Sequence, residues 1–134
     1  MRILLDTHIV LWYLNGDEKL ASRAADIISS PENDVYFSLV SMWEIEIKHI
    51  SHPKQMVSSG YDVLTRCARA EFKELQLLHT HIPFLETLHR AESAPPHKDP
   101  FDRMLIAQAK AENMLFLTHN SLLTQYNEPC VIKV

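Results

Sequence analysis

The stretch Ile3-Leu4-Leu5-Asp6-Thr7-His8-Ile9-Val10-Leu11-Trp12-Tyr13-Leu14 decides the architecture. Ile3-Leu4-Leu5 is too short for a helix, and it is apolar at odd and even positions alike. That is the pattern of a strand buried on both faces. An acid, Asp6, ends it. His8 to Leu14 then reads as a helix that stops near Asn15-Gly16, a helix-ending pair. A doubly buried strand passing at once into a helix is the unit of a parallel sheet with helices on both faces.

The same alternation continues outward. Lys19 to Ser29 carries Leu20, Ala24, Ile27 and Ile28 in a helical stripe. Pro31-Glu32-Asn33-Asp34 is a turn, and Val35 to Val40 is β-branched and aromatic, hence a second strand. Met42 to Ile50 reads as a helix with Trp43, Ile47 and Ile50 on one side; Trp12 and Trp43 are expected in the core. Tyr61 to Ala70 is helical, and Phe72 to Leu78 is a third strand. Ile82 to His89 is helical, and a proline-rich loop follows from Ala91 to Pro100. Phe101 to Ala111 is a strong amphipathic helix, and Met114 to Leu117 is a fourth strand. A short helix near Ser121 to Gln125 and a final strand, Cys130 to Lys133, follow. Crossovers between parallel strands are right-handed, and ligands of such sheets bind beyond the carboxyl ends of the strands, where strand order reverses.

Composition bounds the function. A length of 134 residues fits one domain, residues 1–134, and 46% hydrophobic with 22% charged residues is a globular composition. The 13 basic and 17 acidic side chains give a net charge of −4, without the basic excess usual in nucleic-acid binders. An acidic metal site contributes such charge, and a bound cation inverts the local field. Cys67 and Cys130 form no C-x-x-C and read as reduced structural thiols. No apolar run reaches the ~20 residues of a membrane span, and the first residues read as a strand rather than a leader. The expectation is a soluble cytoplasmic protein. Two glycines, Gly16 and Gly60, are too few for a G-x-G-x-x-G or Walker loop.

Polar residues recur where the strands end. Asp6 follows the first strand, Ser41 and Glu44 the second, and Thr118, His119 and Asn120 the fourth; Asp99 and Asp102 open the amphipathic helix. Oxygen donors alone suit Mg²⁺ or Mn²⁺. Carboxylate-bound ions of this kind activate water against a phosphodiester. Each acid also has a plain reading. Ser41 with Glu44 is a capping box, S-x-x-E, and Asp99-Pro100-Phe101-Asp102 is an N-cap followed by a proline and a dipole-facing acid. Asp6 equally suits an N-cap. The two readings are compatible, since a helix start presents its carboxylate outward.

Other chemistries find little support. His79-x-His81 and His49-x-x-His52 lack the cysteine or H-E-x-x-H partners of a zinc site. No G-x-S-x-G elbow is present for a serine nucleophile. A phosphoacceptor signalling domain needs an acid pair after the first strand and a lysine after the last but one, and a haloacid-type phosphotransferase needs D-x-D. Asp6-Thr7-His8 and Thr118-His119-Asn120 supply none of these.

The chain resembles the PIN-domain ribonucleases, in particular the VapC-like toxins of toxin–antitoxin pairs. The resemblance rests on Leu4-Leu5-Asp6-Thr7-His8 with Leu11-Trp12, on Ser38 to Lys48, on His97-Lys98-Asp99-Pro100-Phe101-Asp102-Arg103 with Met104 to Ala109, and on Leu117-Thr118-His119-Asn120. These segments run almost from end to end. The resemblance implies a three-layer α/β/α sandwich around a five-stranded parallel sheet. It implies Mg²⁺- or Mn²⁺-dependent endonucleolytic hydrolysis of RNA, leaving 5′-phosphate and 3′-hydroxyl ends. The three metal-binding acids carry over to Asp6, Glu44 and Asp102, with Asp99 as a further acid. Thr7, Ser41, Thr118 and Asn120 accompany them, and Lys48, Lys98 and Arg103 are the candidates for RNA phosphate. A homodimer and an antitoxin whose Arg or Lys enters the acidic cleft are implied as partners. One departure stands out. The family usually has T-x-D after the fourth strand, and here Asn120 replaces the acid, weakening the case for a second ion. A PIN-fold protein that binds RNA or a partner without cutting is the alternative.

Overall fold

The computed structural model describes residues Met1–Val134. Five strands form one sheet: β1 (Arg2–Leu5), β2 (Asp34–Ser38), β3 (Lys73–Leu75), β4 (Leu115–Thr118) and β5 (Val131–Lys133). Their order is β3-β2-β1-β4-β5, and every neighbouring pair is parallel. The helices are α1 (Thr7–Asn15), α2 (Ser22–Ser29), α3 (Leu39–Ser51), α4 (Gly60–Arg69) and α5 (Pro100–Ala111), with 3-10 turns over His79–Thr87 and Ser121–Tyr126.

The alternation of side chains along the strands divides the core in two. Ile3, Leu5, Val35, Phe37 and Leu117 pack on one face with residues of α1, α2, α3 and α4. Leu4 and Phe116 point the other way and meet Leu105, Ile106 and Ala109 of α5. Two apolar layers on a period of two are what a sheet covered on both sides requires. The α/β/α expectation is therefore met.

Gly16 ends α1 with φ of 61°, a left-handed conformation that glycine adopts without strain. Gly60, at the start of α4, has a different task. A Cβ built there would lie 2.6 Å from the carbonyl oxygen of Met42, so α3 and α4 meet backbone to backbone at this point.

Several expectations change. The capping box Ser41–Glu44 does not form. Helix α3 begins earlier, at Leu39, and Ser38 is its N-cap, with Oγ accepting from the Val40 amide. Leu39 and Val40 are thus helical, and both Ser41 and Glu44 lie inside the helix on its buried side. The stripe Trp43, Ile47 and Ile50 is real but faces outward, with Trp43 59% exposed. The inner face instead carries Ser41, Met42, Glu44 and Ile45, so polar residues there displace the most apolar stripe of α3 to the surface. Trp12 is half-buried, against His8 and His119. Finally, β3 spans only three residues, and in place of the helix expected over Ile82 to His89 there is a 3-10 segment, His79–Thr87, with Pro83 inside it.

His81, His49 and His52 of the two histidine pairs hydrogen-bond to neighbouring groups. His81 is fully buried; its Nδ1 accepts from the Leu78 amide, and its Nε2 meets Glu112 at 2.8 Å. His49 bonds the Met56 carbonyl and His52 bonds Ser51. Both cysteines are free, Cys67 buried and Cys130 half-buried.

Candidate functional site

β1 is the central strand, and the chain leaves it toward β2 on one side while β4 flanks it on the other. This is the point of reversal that sheets of this kind use for ligands. Asp6 sits there, as the N-cap of α1, and is 4% exposed. Its Oδ1 accepts from the Thr7 amide at 2.8 Å, and its Oδ2 accepts from Thr118 Oγ1 at 2.6 Å. Capping and site placement therefore coincide. Burial pushes the Asp6 carboxyl above its ordinary range, against the two hydrogen bonds and the His8 charge.

Glu44 comes to the same place from the inner face of α3, one helical turn inside its start. Thr7 Oγ1 lies 2.7 Å from Glu44 Oε1 and 2.9 Å from Ser41 Oγ. With one proton to give, Thr7 donates to the carboxylate and accepts from Ser41. Glu44 Oε2 accepts from Lys48 Nζ at 2.9 Å, one turn along the helix. Burial alone would depress the Lys48 ammonium. The Glu44 hydrogen bond and the charges of Glu44, Asp99 and Asp102 outweigh it and hold the group above its usual range.

Helix α5 brings the remaining acids. Asp99 is its N-cap, accepting from the Phe101 and Asp102 amides at 2.9 and 3.2 Å, with Pro100 in the first turn. Asp102 lies in that first turn, and its carboxyl is pushed up to about 8. Burial is the main cause, followed by the negative charges of Asp6, Asp99 and Glu44. The charges of Asp6, after β1, Glu44 of α3 and Asp99, the cap of α5, thus act together on Asp102, and Lys48 opposes them.

As the side chains stand, no three His, Cys, Asp or Glu groups close to the span of a metal ion. The donor chemistry nevertheless fits a hard divalent cation. The donors are oxygens, and like charge crowded at a buried edge is the field that such a cation relieves.

The supporting residues divide. Thr118 is fully buried and links Asp6 to the backbone beyond β4, accepting from the Asn120 amide at 3.0 Å. Asn120 does not lend its oxygen to the acids; Oδ1 accepts from the Leu122 amide as the N-cap of the second 3-10 turn. Lys98 is exposed beside Asp99. Arg103 is half-buried, with its guanidinium 5.7 Å from the Tyr126 ring centre and donating to Tyr126 Oη at 3.3 Å.

The sequence reading missed two members of the site. His97 meets Asp102 Oδ2 through Nε2 at 3.1 Å, and Tyr126 Oη meets His97 Nδ1 at 2.6 Å. His97 stands five residues before Asp102, in the loop, so no helical spacing pairs them. Only its place in the His97-Lys98-Asp99 motif marked it.

An all-parallel α/β/α sandwich with a carboxylate cluster at its reversal point is the class that fold and site define. The family model of the PIN domain matches residues 3–128, and the chain belongs to that family. The fold is shared with solved structures. The chain is similar to VapBC2 from Rickettsia felis, bound to a DNA fragment from its promoter, at 14% identity and a TM-score of 0.68. That match covers 100% of this chain and 98% of the other. VapBC-1 from nontypeable Haemophilus influenzae aligns at 15% identity and a TM-score of 0.66, over 99% and 98% of the two chains. A toxin–antitoxin complex from Klebsiella pneumoniae aligns at 15% identity and a TM-score of 0.60, over 98% and 96%. No curated protein matches the sequence.

Proposed function

We propose that this chain, as one PIN domain over residues 1–134, is a metal-dependent endoribonuclease and the toxin of a toxin–antitoxin pair. The observation that carries the reading is the meeting of Asp6, Glu44, Asp99 and Asp102 at the reversal point of the sheet, where burial first and then the neighbouring negative charges push the Asp102 carboxyl up to about 8. Asp6, Glu44 and Asp102 are the residues that would hold Mg²⁺ or Mn²⁺. Such an ion, when bound, lowers the pKa of water and neutralises charge on the phosphodiester.

The chain's own groups supply the rest. Thr7 and Thr118 fix one oxygen each of Glu44 and Asp6, so those carboxylates present defined faces. Lys48 stands beside Glu44 and faces a cleft of about 420 Å³ lined also by His8, Ser51, His52, Gln55 and Met56. A cleft whose lining residues include Lys48, two histidines, Ser51 and Gln55 suits an RNA backbone, with Lys48, exposed Lys98 and Arg103 as phosphate contacts. The outward stripe of Trp43, Ile47 and Ile50 on α3 is a contiguous apolar feature of the kind that protein partners cover, and a homodimer is the reading we attach to it. The acidic edge is the place for a basic side chain of a cognate antitoxin. No helix is long and apolar enough to cross a membrane, which accords with a cytoplasmic setting.

Purified protein incubated with total RNA in Mg²⁺, Mn²⁺ or chelator tests this directly. Cleavage is expected only with metal, leaving 5′-phosphate ends, and Asp6→Asn is expected to abolish it while keeping the fold. Full activity in Asp6→Asn would sink the assignment. The second reading, binding without cutting, draws on Asn120, whose amide oxygen is spent on a helix cap. Specific RNA binding with no metal-dependent cleavage would favour it.

A further inference from the structure

His97 has two partners and a direction. Its side chain is 4% exposed, and both ring nitrogens are engaged, Nδ1 by Tyr126 Oη and Nε2 by Asp102 Oδ2. Tyr126 is itself buried at the end of the second 3-10 turn, its ring flanked by the guanidiniums of Arg90 at 5.2 Å and Arg103 at 5.7 Å. The His97 and Tyr126 rings meet edge to face, at 87°.

Donor and acceptor rules, with Asp102 ionised, set the order of protons. A guanidinium only donates, so Tyr126 Oη accepts from Arg103 Nη1. The Tyr126 proton is then free for His97 Nδ1, and an ionised Asp102, which can only accept, selects that order. The ring proton of neutral His97 therefore sits on Nε2 and is donated to Asp102 Oδ2. The chain Arg103 to Tyr126 to His97 ends on one oxygen of the carboxylate and leaves the other free.

We propose that His97, oriented by Tyr126, is a positioning residue that sets the Asp102 carboxylate for a divalent cation. The proposal rests on the reading of Asp102 as a metal-binding acid. It draws on a general feature of metal sites: partners of the ligating groups orient them, and losing such a partner typically costs about 10–100-fold in affinity. The loop that carries His97 contains Pro95 and Pro96, and the side chain's two hydrogen bonds go to Asp102 and Tyr126.

Two measurements test it. The first needs no metal: ring ¹⁵N spectra of the whole protein at pH 9, where Asp102 is ionised, are expected to show His97 protonated at Nε2. A proton on Nδ1 would overturn the relay. The second is Mn²⁺ titration followed by the spin-resonance signal of the free ion. His97→Phe is expected to weaken binding by about 10–100-fold. His97→Gln, which keeps a donor near the Nε2 position, is expected to recover most of that loss. Tyr126→Phe removes one hydroxyl only and is expected to weaken binding several-fold; it keeps the test open should His97→Phe fail to fold. Unchanged affinity in folded His97→Phe or Tyr126→Phe, while Asp102→Asn loses the ion, overturns the positioning role alone. Unchanged affinity in Asp102→Asn overturns the metal reading of Asp102 and the proposal with it.

Discussion

Thr118 Oγ1 donates to Asp6 Oδ2 at 2.6 Å across the ends of two adjacent strands, β4 and β1. The two residues are 112 apart in the chain, yet the parallel register that sets Leu5 opposite Leu117 brings them together. The bond holds a buried carboxylate in one orientation. It also occupies Oδ2, while Oδ1 takes the Thr7 amide.

Replacing Thr118 by Val keeps the shape and removes the donor. Asp6 Oδ2 is then left buried without its partner, a loss of about 1–3 kcal/mol. The expected outcome is a lower unfolding midpoint in urea and weaker Mn²⁺ binding, by about tenfold. Unaltered stability and unaltered ion binding together would show that the hydroxyl has no orienting role.

The raised Asp102 carboxyl makes a pH-dependent contribution to stability. Its folded value of about 8 lies above the ordinary carboxylate value near 3.8. Between those limits the folded state binds more protons than the unfolded state, so stability falls as pH rises. The contribution is complete below about pH 4 and is lost as pH climbs through about 8. Buried Asp6, also shifted upward, acts in the same direction. Thermal melting of the metal-free protein is expected to drop between pH 5 and 8. Asp102→Asn is expected to flatten that slope, and saturating Mg²⁺ to reverse it. A slope identical in wild type and Asp102→Asn would remove Asp102 as its source.

Much of the fold could be read from periodicity because strands buried on both faces must be apolar at every position, as Ile3-Leu4-Leu5 is. Asp6, Glu44, Asp99 and Asp102 could be singled out as candidates because strand ends in such sheets are where polar side chains can converge. Helix α3 shows where one-dimensional pattern fails. Trp43, Ile47 and Ile50 form its apolar stripe, and the pattern alone assigns them to the core. The helix instead turns Ser41 and Glu44 inward to meet Thr7. The choice of Ser38 over Ser41 as cap is likewise not local. Ser38 is fully buried and its Oγ reaches Gln108 Oε1 of α5 at 2.5 Å, a contact 70 residues distant. His97 and Tyr126 escaped for the same reason, since loop and 3-10 residues carry no period that would pair them.

The outward stripe on α3 gives a prediction about assembly. Ile50 is 75% exposed and Trp43 59% exposed, and Trp43 shares a cleft of about 330 Å³ with Leu39, Val40, Gln76 and Leu77. Ile47→Glu with Ile50→Glu is expected to leave the fold intact, because neither side chain belongs to the packed core. The double variant is expected to run as a monomer in sedimentation, whereas wild type runs as a dimer. A wild-type monomer across micromolar concentrations would remove the homodimer from the reading.

Gly60 offers the sharpest test of how α3 and α4 are joined. Any Cβ at this position meets the Met42 carbonyl at 2.6 Å and Glu46 Cβ at 3.3 Å. Neither neighbour yields easily, since one is helical backbone and the other is the first carbon of its side chain. Alanine ordinarily favours a helix over glycine by up to about 1 kcal/mol. Here overpacking opposes that gain, at about 1–3 kcal/mol. Gly60→Ala is therefore expected to destabilise the protein overall. The shift of α3 needed to admit the methyl also moves Glu44, so Mn²⁺ affinity is expected to fall in parallel with the urea midpoint. A Gly60→Ala protein more stable than wild type would show that the α3–α4 crossing is looser than 2.6 Å implies.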